Sequence, residues 1–152
     1  MQLDLGYEEL TSSHPFVTTV ATWIQEEWGA EKGHPFPETL ARLVQQENCP
    51  PSQIARTDSA PLGVVGFYRY PLTGVPEPQL WIDVLYVAKA YRRRGIATEL
   101  VRLAERLASA HTRRLYVYTS VPVFYLRLNW VLMSGPDEAG SSVLERELPE
   151  KN

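Results

Sequence analysis

The most reactive pattern in the chain is a run of cations set against a glycine. Arg92, Arg93, Arg94 and Gly95 are followed by Ile96, Ala97 and Thr98, which open an amphipathic stretch. That order builds an anion cradle. Backbone N–H groups at a helix start have no intrahelical partner, and the helix dipole adds partial positive charge there. Phosphate oxygens sit well on such groups, and arginine forks onto them from the side. Gly95 lets a ligand come close to the backbone and tolerates unusual φ/ψ angles. Arginines at a helix start oppose the dipole, so stability alone explains them poorly. A P-loop needs Gly-x-x-x-x-Gly-Lys-Ser/Thr and a dinucleotide fold needs Gly-x-Gly-x-x-Gly. Gly95 has no glycine partner within its loop, so neither motif is present.

The cradle needs a strand before it and a helix behind it, and both are legible. Residues 79–87 read as a strand, and Gly95 to about Ser109 as a helix with Ile96, Leu100, Leu103, Ala104 and Leu107 on one face. Glu99, Arg102, Glu105 and Arg106 fall on its other, solvated face. Upstream, residues 2–5 alternate as a short first strand. Ser12-Ser13-His14-Pro15 signals the start of a helix carrying Val17, Val20, Ala21, Ile24 and Trp28, with Gly29 at its end. A second helix is expected from about Pro37 to Gln46, and short strands over 52–57 and 62–70. Gly66 suggests a bulge or a close backbone approach in the second of these. Downstream come a strand over 114–119, a short helix over 121–128 capped at Asn129, strands over 130–133 and 143–148, and a charged tail expected to fray. The order implies one domain, residues 1–152, of α/β class: a mixed sheet with helices on both faces.

Composition narrows the function. The chain has 152 residues, 44% of them hydrophobic, and a net charge of −3. That balance argues against nucleic acid or an acidic membrane as a partner, although the Arg92–Arg94 and Arg113-Arg114 clusters make a local anion plausible. Cys49 is the only cysteine. It excludes an internal disulfide and a cysteine-rich metal cluster, and it fits a reducing compartment. The opening residues lack the profile of a signal peptide, and no apolar run approaches the roughly 20 residues of a membrane span. A cytoplasmic protein without a metal is the expectation.

Three segments in order, Leu85-Tyr86-Val87, Tyr91-Arg92-Arg93-Arg94-Gly95-Ile96-Ala97 and Phe124-Tyr125-Leu126-Arg127-Leu128-Asn129-Trp130, resemble the GNAT superfamily of N-acetyltransferases. Its acetyl-CoA signature, Arg/Gln-x-x-Gly-x-Gly/Ala, is matched by Arg92 to Ala97. The resemblance covers about residues 62–133. The chain departs from the family pattern in having Lys89 for proline, Asn129 for glycine and Trp130 for phenylalanine.

The resemblance implies roles. Arg92, Arg93, Arg94, Gly95, Ile96, Ala97 and Thr98 would hold the CoA pyrophosphate. The central sheet, mostly antiparallel, would splay between its fourth and fifth strands. There the peptide groups of Leu85 and Val87 would pair with pantetheine, and one N–H could polarise the thioester carbonyl. Tyr125 is the candidate general acid: a phenol of pKa near ~10 can protonate a departing thiolate of pKa near ~8.5. Phe124, its neighbour, should face away. Asp83 is the candidate general base, directly or through a water. It is the one acidic residue of its strand, and simple alternation sets it on the side of Leu85 and Val87. A solvent-facing strand carboxylate is the plainer reading. Trp23, Glu26 and Glu27 would border the acceptor pocket, or form part of a half-buried, half-solvated helix end.

The expected activity is direct transfer of the acetyl group of acetyl-CoA to a primary amine of a small molecule or peptide, without a covalent enzyme intermediate. The alternative is an acyl-CoA-binding regulatory module that has lost catalysis. A monomer or a homodimer is expected.

Overall fold

The structure, a computed structural model, describes residues 4–29, 33–44 and 47–149. Its elements run β1 (Gly6–Glu9), α1 (Val17–Ile24), α2 (Phe36–Val44), β2 (Gln53–Arg56), β3 (Pro61–Tyr70), β4 (Gln79–Val87), α3 (Ile96–Ala108), β5 (Arg114–Thr119), α4 (Pro122–Leu126), β6 (Val131–Ser134) and β7 (Ser142–Glu147). A π turn, Gln25–Gly29, extends α1, and a 3-10 turn, Lys89–Tyr91, follows β4. The strands form one sheet in the order β1-β2-β3-β4-β5-β7-β6. Neighbours are antiparallel except β4 and β5, which run parallel and pair only at Trp81↔Tyr116 and Ile82↔Val117. Beyond those two pairs the strands part. This is the α/β mixed sheet, splayed between its fourth and fifth strands, that the sequence led us to expect.

Each face of the sheet buries its own core. Phe67, Leu80, Leu100, Val101 and Leu115 pack together beneath α3. Val20, Ala21, Leu43, Ile54, Val64 and Val84 pack beneath α1 and α2. The two faces exchange residues at one irregularity. Between β3 and β4, Gly66 pairs with Val84 but Phe67 pairs with Ile82, so Asp83 is skipped. An extra residue of this kind bends a strand and resets its alternation. Ile82 and Leu85 therefore pack toward α3, whereas Val84 and Tyr86 pack toward α1 and α2. Gly66 is required at this crossing, because a Cβ there would lie 2.9 Å from Val84 Cγ1 and 3.0 Å from Ser52 Oγ.

Several local expectations shift. The first strand lies at Gly6–Glu9, fixed by pairing with Arg56–Gln53, rather than at residues 2–5; Gln2 and Leu3 lie outside the described residues. Helix α1 begins at Val17, not at the serine pair. Phe16 is the N-cap and no side chain caps the first turn; the His14 ring braces the entry instead, its Nδ1 accepting from the Phe16 N–H at 3.0 Å, which leaves Nε2–H to donate to Glu8 at 2.8 Å. Gln45 and Gln46, the expected end of the second helix, and the last three residues of the tail lie outside the described residues. Strand β6 starts at Val131, because Trp130 is buried against Tyr125 with ring centroids 5.2 Å apart. Asn129 takes the left-handed cap expected of it, with φ 70°.

Glu105 is the clearest correction. It is 9% exposed rather than solvated. Its carboxylate accepts from Arg102 Nη1, Trp130 Nε1 and Arg146 Nε, each at 3.2 Å, and so ties α3 to α4, β6 and β7. Among the described residues, no helix is long and apolar enough to cross a membrane.

Candidate active site

The site forms where β4 and β5 part. Ala88 N–H donates to Leu62 O at 2.9 Å, and a Cβ on Gly63 would lie 3.0 Å from the carbonyl oxygen of Tyr86. Both observations point the peptide groups of Tyr86 and Ala88 toward β3. Alternation then turns those of Leu85 and Val87 the other way, into the gap. The Val87 carbonyl there accepts from Arg92 Nε at 2.8 Å.

The gap opens as a cavity of about 480 Å³. Asp83 and Leu85 of β4 form one wall, and the end of β5 with Phe124 and Tyr125 of α4 forms the opposite one. Trp28 closes it from the helix side, and Ala139 and Ser141 from the β6–β7 loop. That loop is built around Asp137. Its carboxylate accepts the Tyr118 hydroxyl and, at 3.0 Å each, the N–H groups of Ala139 and Ser141. These bonds, the Tyr118 one foremost, hold the Asp137 carboxyl below its usual range.

At the far end of β4 the basic loop has the geometry of a cradle. Arg93 (φ 65°) and Gly95 (φ 81°) are left-handed, and Gly95 caps α3 without any side-chain bond to the first turn. Such a turn gathers backbone N–H groups into an anion-binding concavity. The N–H groups of Ile96, Ala97 and Thr98 precede the first intrahelical bond, Glu99 N–H to Gly95 O at 3.1 Å. A Cβ on Gly95 would meet nothing within 4 Å, so the approach is open. Arg92, Arg93 and Arg94 are all exposed. The Arg92 guanidinium lies 5.4 Å from the Tyr86 ring and that of Arg94 5.8 Å from the Tyr91 ring, which restrains two of the three forks.

Tyr125 is 3% exposed and packs against Phe124 and Trp130 at 5.0 and 5.2 Å. Among the described residues nothing hydrogen-bonds its hydroxyl, yet it is not a buried orphan, so the hydroxyl opens onto the cavity its ring lines. Burial pushes its pKa well above the ordinary tyrosine value, which keeps it protonated. Phe124 does not face away: a short helix turning across the gap exposes both rings to the same cavity.

The bulge turns Asp83 away from the face of Leu85 and Val87, contrary to simple alternation, and toward α2. There Arg42 Nη2 donates to the Tyr70 hydroxyl, which donates to Asp83 Oδ1. Arg42 Nη2 stands 3.9 Å from the carboxylate, and its guanidinium stacks 3.8 Å from the Tyr68 ring. Burial and then the Asp83 charge lift the Tyr70 pKa far above normal, so the phenol stays a donor. Asp83 still borders the cavity.

Trp23, Glu26 and Glu27 are not on the cavity wall. Trp23 packs on Tyr86 at 5.6 Å, and the two glutamates are exposed on the π turn; their neighbour Trp28 is the residue that reaches the cavity. Sequence reasoning also missed Arg42 and Tyr70, which carry no local signal. Cys49 packs at the edge of the core, and burial raises its thiol pKa, which suits no nucleophilic role. No cluster of metal-binding side chains occurs among the described residues.

No curated protein matches the sequence. In fold, the chain is similar to an aminoglycoside 6'-acetyltransferase type Ii, with TM-score 0.74 at 18% identity over 97% of this chain and 99% of the other. An aminoglycoside 6'-N-acetyltransferase complexed with coenzyme A gives TM-score 0.73 at 16% identity, covering 97% and 99%. A chain of the NatC complex bound to Gag peptide and CoA gives 0.68 at 19%, covering 98% and 100%. The model of the acetyltransferase (GNAT) family matches residues 17–126, and the chain belongs to that family.

Proposed function

We propose that the protein is an N-acetyltransferase that passes the acetyl group of acetyl-CoA directly to a primary amine. One observation carries this reading: the Tyr125 hydroxyl opens onto the same cavity as Leu85 of β4, whose peptide group is aimed into the gap. A bare phosphate site needs neither group.

Acetyl-CoA supplies the acyl carbon as a thioester. Arg92, Arg93 and Arg94, with the N–H groups from Gly95 to Thr98, hold its pyrophosphate, and the open space over Gly95 suits that load. The outward peptide groups of Leu85 and Val87 align the pantetheine arm, and an N–H among them polarises the carbonyl. The amine nitrogen attacks the carbonyl carbon and the C–S bond breaks. Tyr125 donates a proton to the departing sulfur. Asp83 takes the proton lost by the acceptor ammonium, directly or through a water. Trp28, with Glu26 and Glu27 at its flank and Trp23 behind Tyr86, borders the acceptor entrance.

The test is thiol release with acetyl-CoA and a panel of amines, for the native chain and for Tyr125→Phe and Asp83→Asn. Amine-dependent release that both substitutions depress is the expected result. Binding of acetyl-CoA without release on any amine would leave only a regulatory acyl-CoA module.

A further inference from the structure

We propose that the acceptor is a primary amine bound as its ammonium ion, with an apolar or aromatic body and no acidic group beside the amine. This rests on the transfer reading above and deepens it.

The cavity wall is selective in charge. Among the described residues that line it, Asp83 alone is formally charged. That charge is held by a directional chain from Arg42 through Tyr70 to Asp83 Oδ1. Donation into the carboxylate fixes its position. Arg42 itself is turned away. Its guanidinium stacks on Tyr68, and it lines an adjoining pocket of about 30 Å³, too small for a ligand, rather than the main cavity. The arginines of the loop stand beyond the other end of β4, at the pyrophosphate cradle. No described cation therefore lines the main cavity; Arg42 stands behind Asp83, 3.9 Å from its carboxylate, so an acceptor carboxylate or phosphate would meet the Asp83 oxygens first.

The remaining wall fits an uncharged body. Trp28, Tyr118 and Phe124 line the same cavity with rings, and Val84 and Val121 add apolar surface. Such surface buries hydrocarbon or a ring and also stabilises a cation by contact with aromatic faces. The one anion suits one ammonium; a second cation on the same ligand would have to lose water against rings alone.

Phenethylamine and phenylalanine test this, since they share a skeleton and differ by one carboxylate. With acetyl-CoA saturating, kcat/KM for phenethylamine should exceed that for phenylalanine by ~10-fold or more, the order expected for a second carboxylate a few ångströms from an Asp83 that Arg42 partly offsets from behind. Spermidine and a neutral tripeptide should also be poorer acceptors than phenethylamine. Asp83→Asn should raise the phenethylamine KM by roughly tenfold, leave the acetyl-CoA KM unchanged and narrow the gap to phenylalanine. Preference for phenylalanine, spermidine or the tripeptide overturns the assigned acceptor class and leaves transfer standing. If no amine is acetylated although acetyl-CoA binds, the transfer reading itself falls. Quenching of tryptophan fluorescence by the two ligands, with CoA present, then decides the binding preference: discrimination of about tenfold or more sustains it, and equal binding overturns it.

Discussion

Replacing Tyr125 by phenylalanine removes one oxygen from a site whose surroundings allow the consequence to be worked out. The ring is 3% exposed and held between Phe124 and Trp130, and those contacts survive the change. The hydroxyl has no partner to lose among the described residues, so stability should move by less than ~0.5 kcal/mol and Tm by no more than about 2 °C. Catalysis should respond very differently. A positioned general acid contributes roughly 10² to 10⁴ in rate, and a thiol of pKa near ~8.5 is a fair leaving group, which favours the lower end. A fall in kcat of ~10²-fold, about 2.7 kcal/mol of transition-state stabilisation, is expected, with the KM for acetyl-CoA within ~3-fold of native. The assay is initial-rate thiol release under saturating acetyl-CoA, beside a thermal melt of the same sample. A folded variant whose kcat stays within ~3-fold of native refutes the assignment. So does a variant that loses activity only because its acetyl-CoA KM has risen.

Other consequences follow from the same contacts. Glu105→Ala strips one acceptor from three donors on separate elements, and should cost ~3 kcal/mol, on the order of 10 °C in Tm. A loss under about 2 °C would show the carboxylate to be dispensable. Gly95→Ala puts a Cβ on a left-handed residue at φ 81°, which should cost about 1 kcal/mol and weaken acetyl-CoA binding ~3-fold or more by calorimetry; unchanged affinity would move the pyrophosphate elsewhere. The folded pKa values of Tyr70 and Tyr125 are both raised, so the neutral phenols favour the native state. That stability is complete below the unfolded tyrosine value near ~10 and is lost as pH climbs through the folded values. Urea midpoints should therefore fall as pH rises above about 10, and fall less in Tyr125→Phe; flat midpoints there would count against buried phenols.

The donor side of this site is legible in the sequence because its chemistry is local. A strand, three arginines, a glycine and a helix start are contiguous, and the geometry of the loop follows from the order of residue types. Tyr125 is separable because a short helix with an adjacent aromatic pair stands out between two strands. The acceptor side is assembled from a distance. Arg42, Tyr70 and Asp83 come from three elements, and their meeting depends on the bulge at Asp83. That bulge answers to the close approach of Gly66 to Val84 and Ser52; Gly66 marks the irregularity in the sequence, but nothing local says that Asp83 of the neighbouring strand is the residue it turns. Glu105 misleads for a similar reason. Helical spacing assigns it to the solvent, whereas Trp130 and Arg146, far along the chain, cover it. The helix starts at Val17 with no side chain capping its first turn, so the serine signal at 12–13, which stands for a cap bond, misplaces it.

An acetyl group that passes straight from CoA to an amine at the Tyr125 cavity can be followed by its label. Incubation with trideuteroacetyl-CoA and phenethylamine, followed by mass spectrometry of both the small molecules and the intact protein, tests this directly. The labelled acetyl group should appear on the amine nitrogen, in step with free CoA thiol, and nowhere on the chain. Label retained covalently on the protein, at Cys49 or elsewhere, or label left wholly on CoA despite binding, would contradict direct transfer.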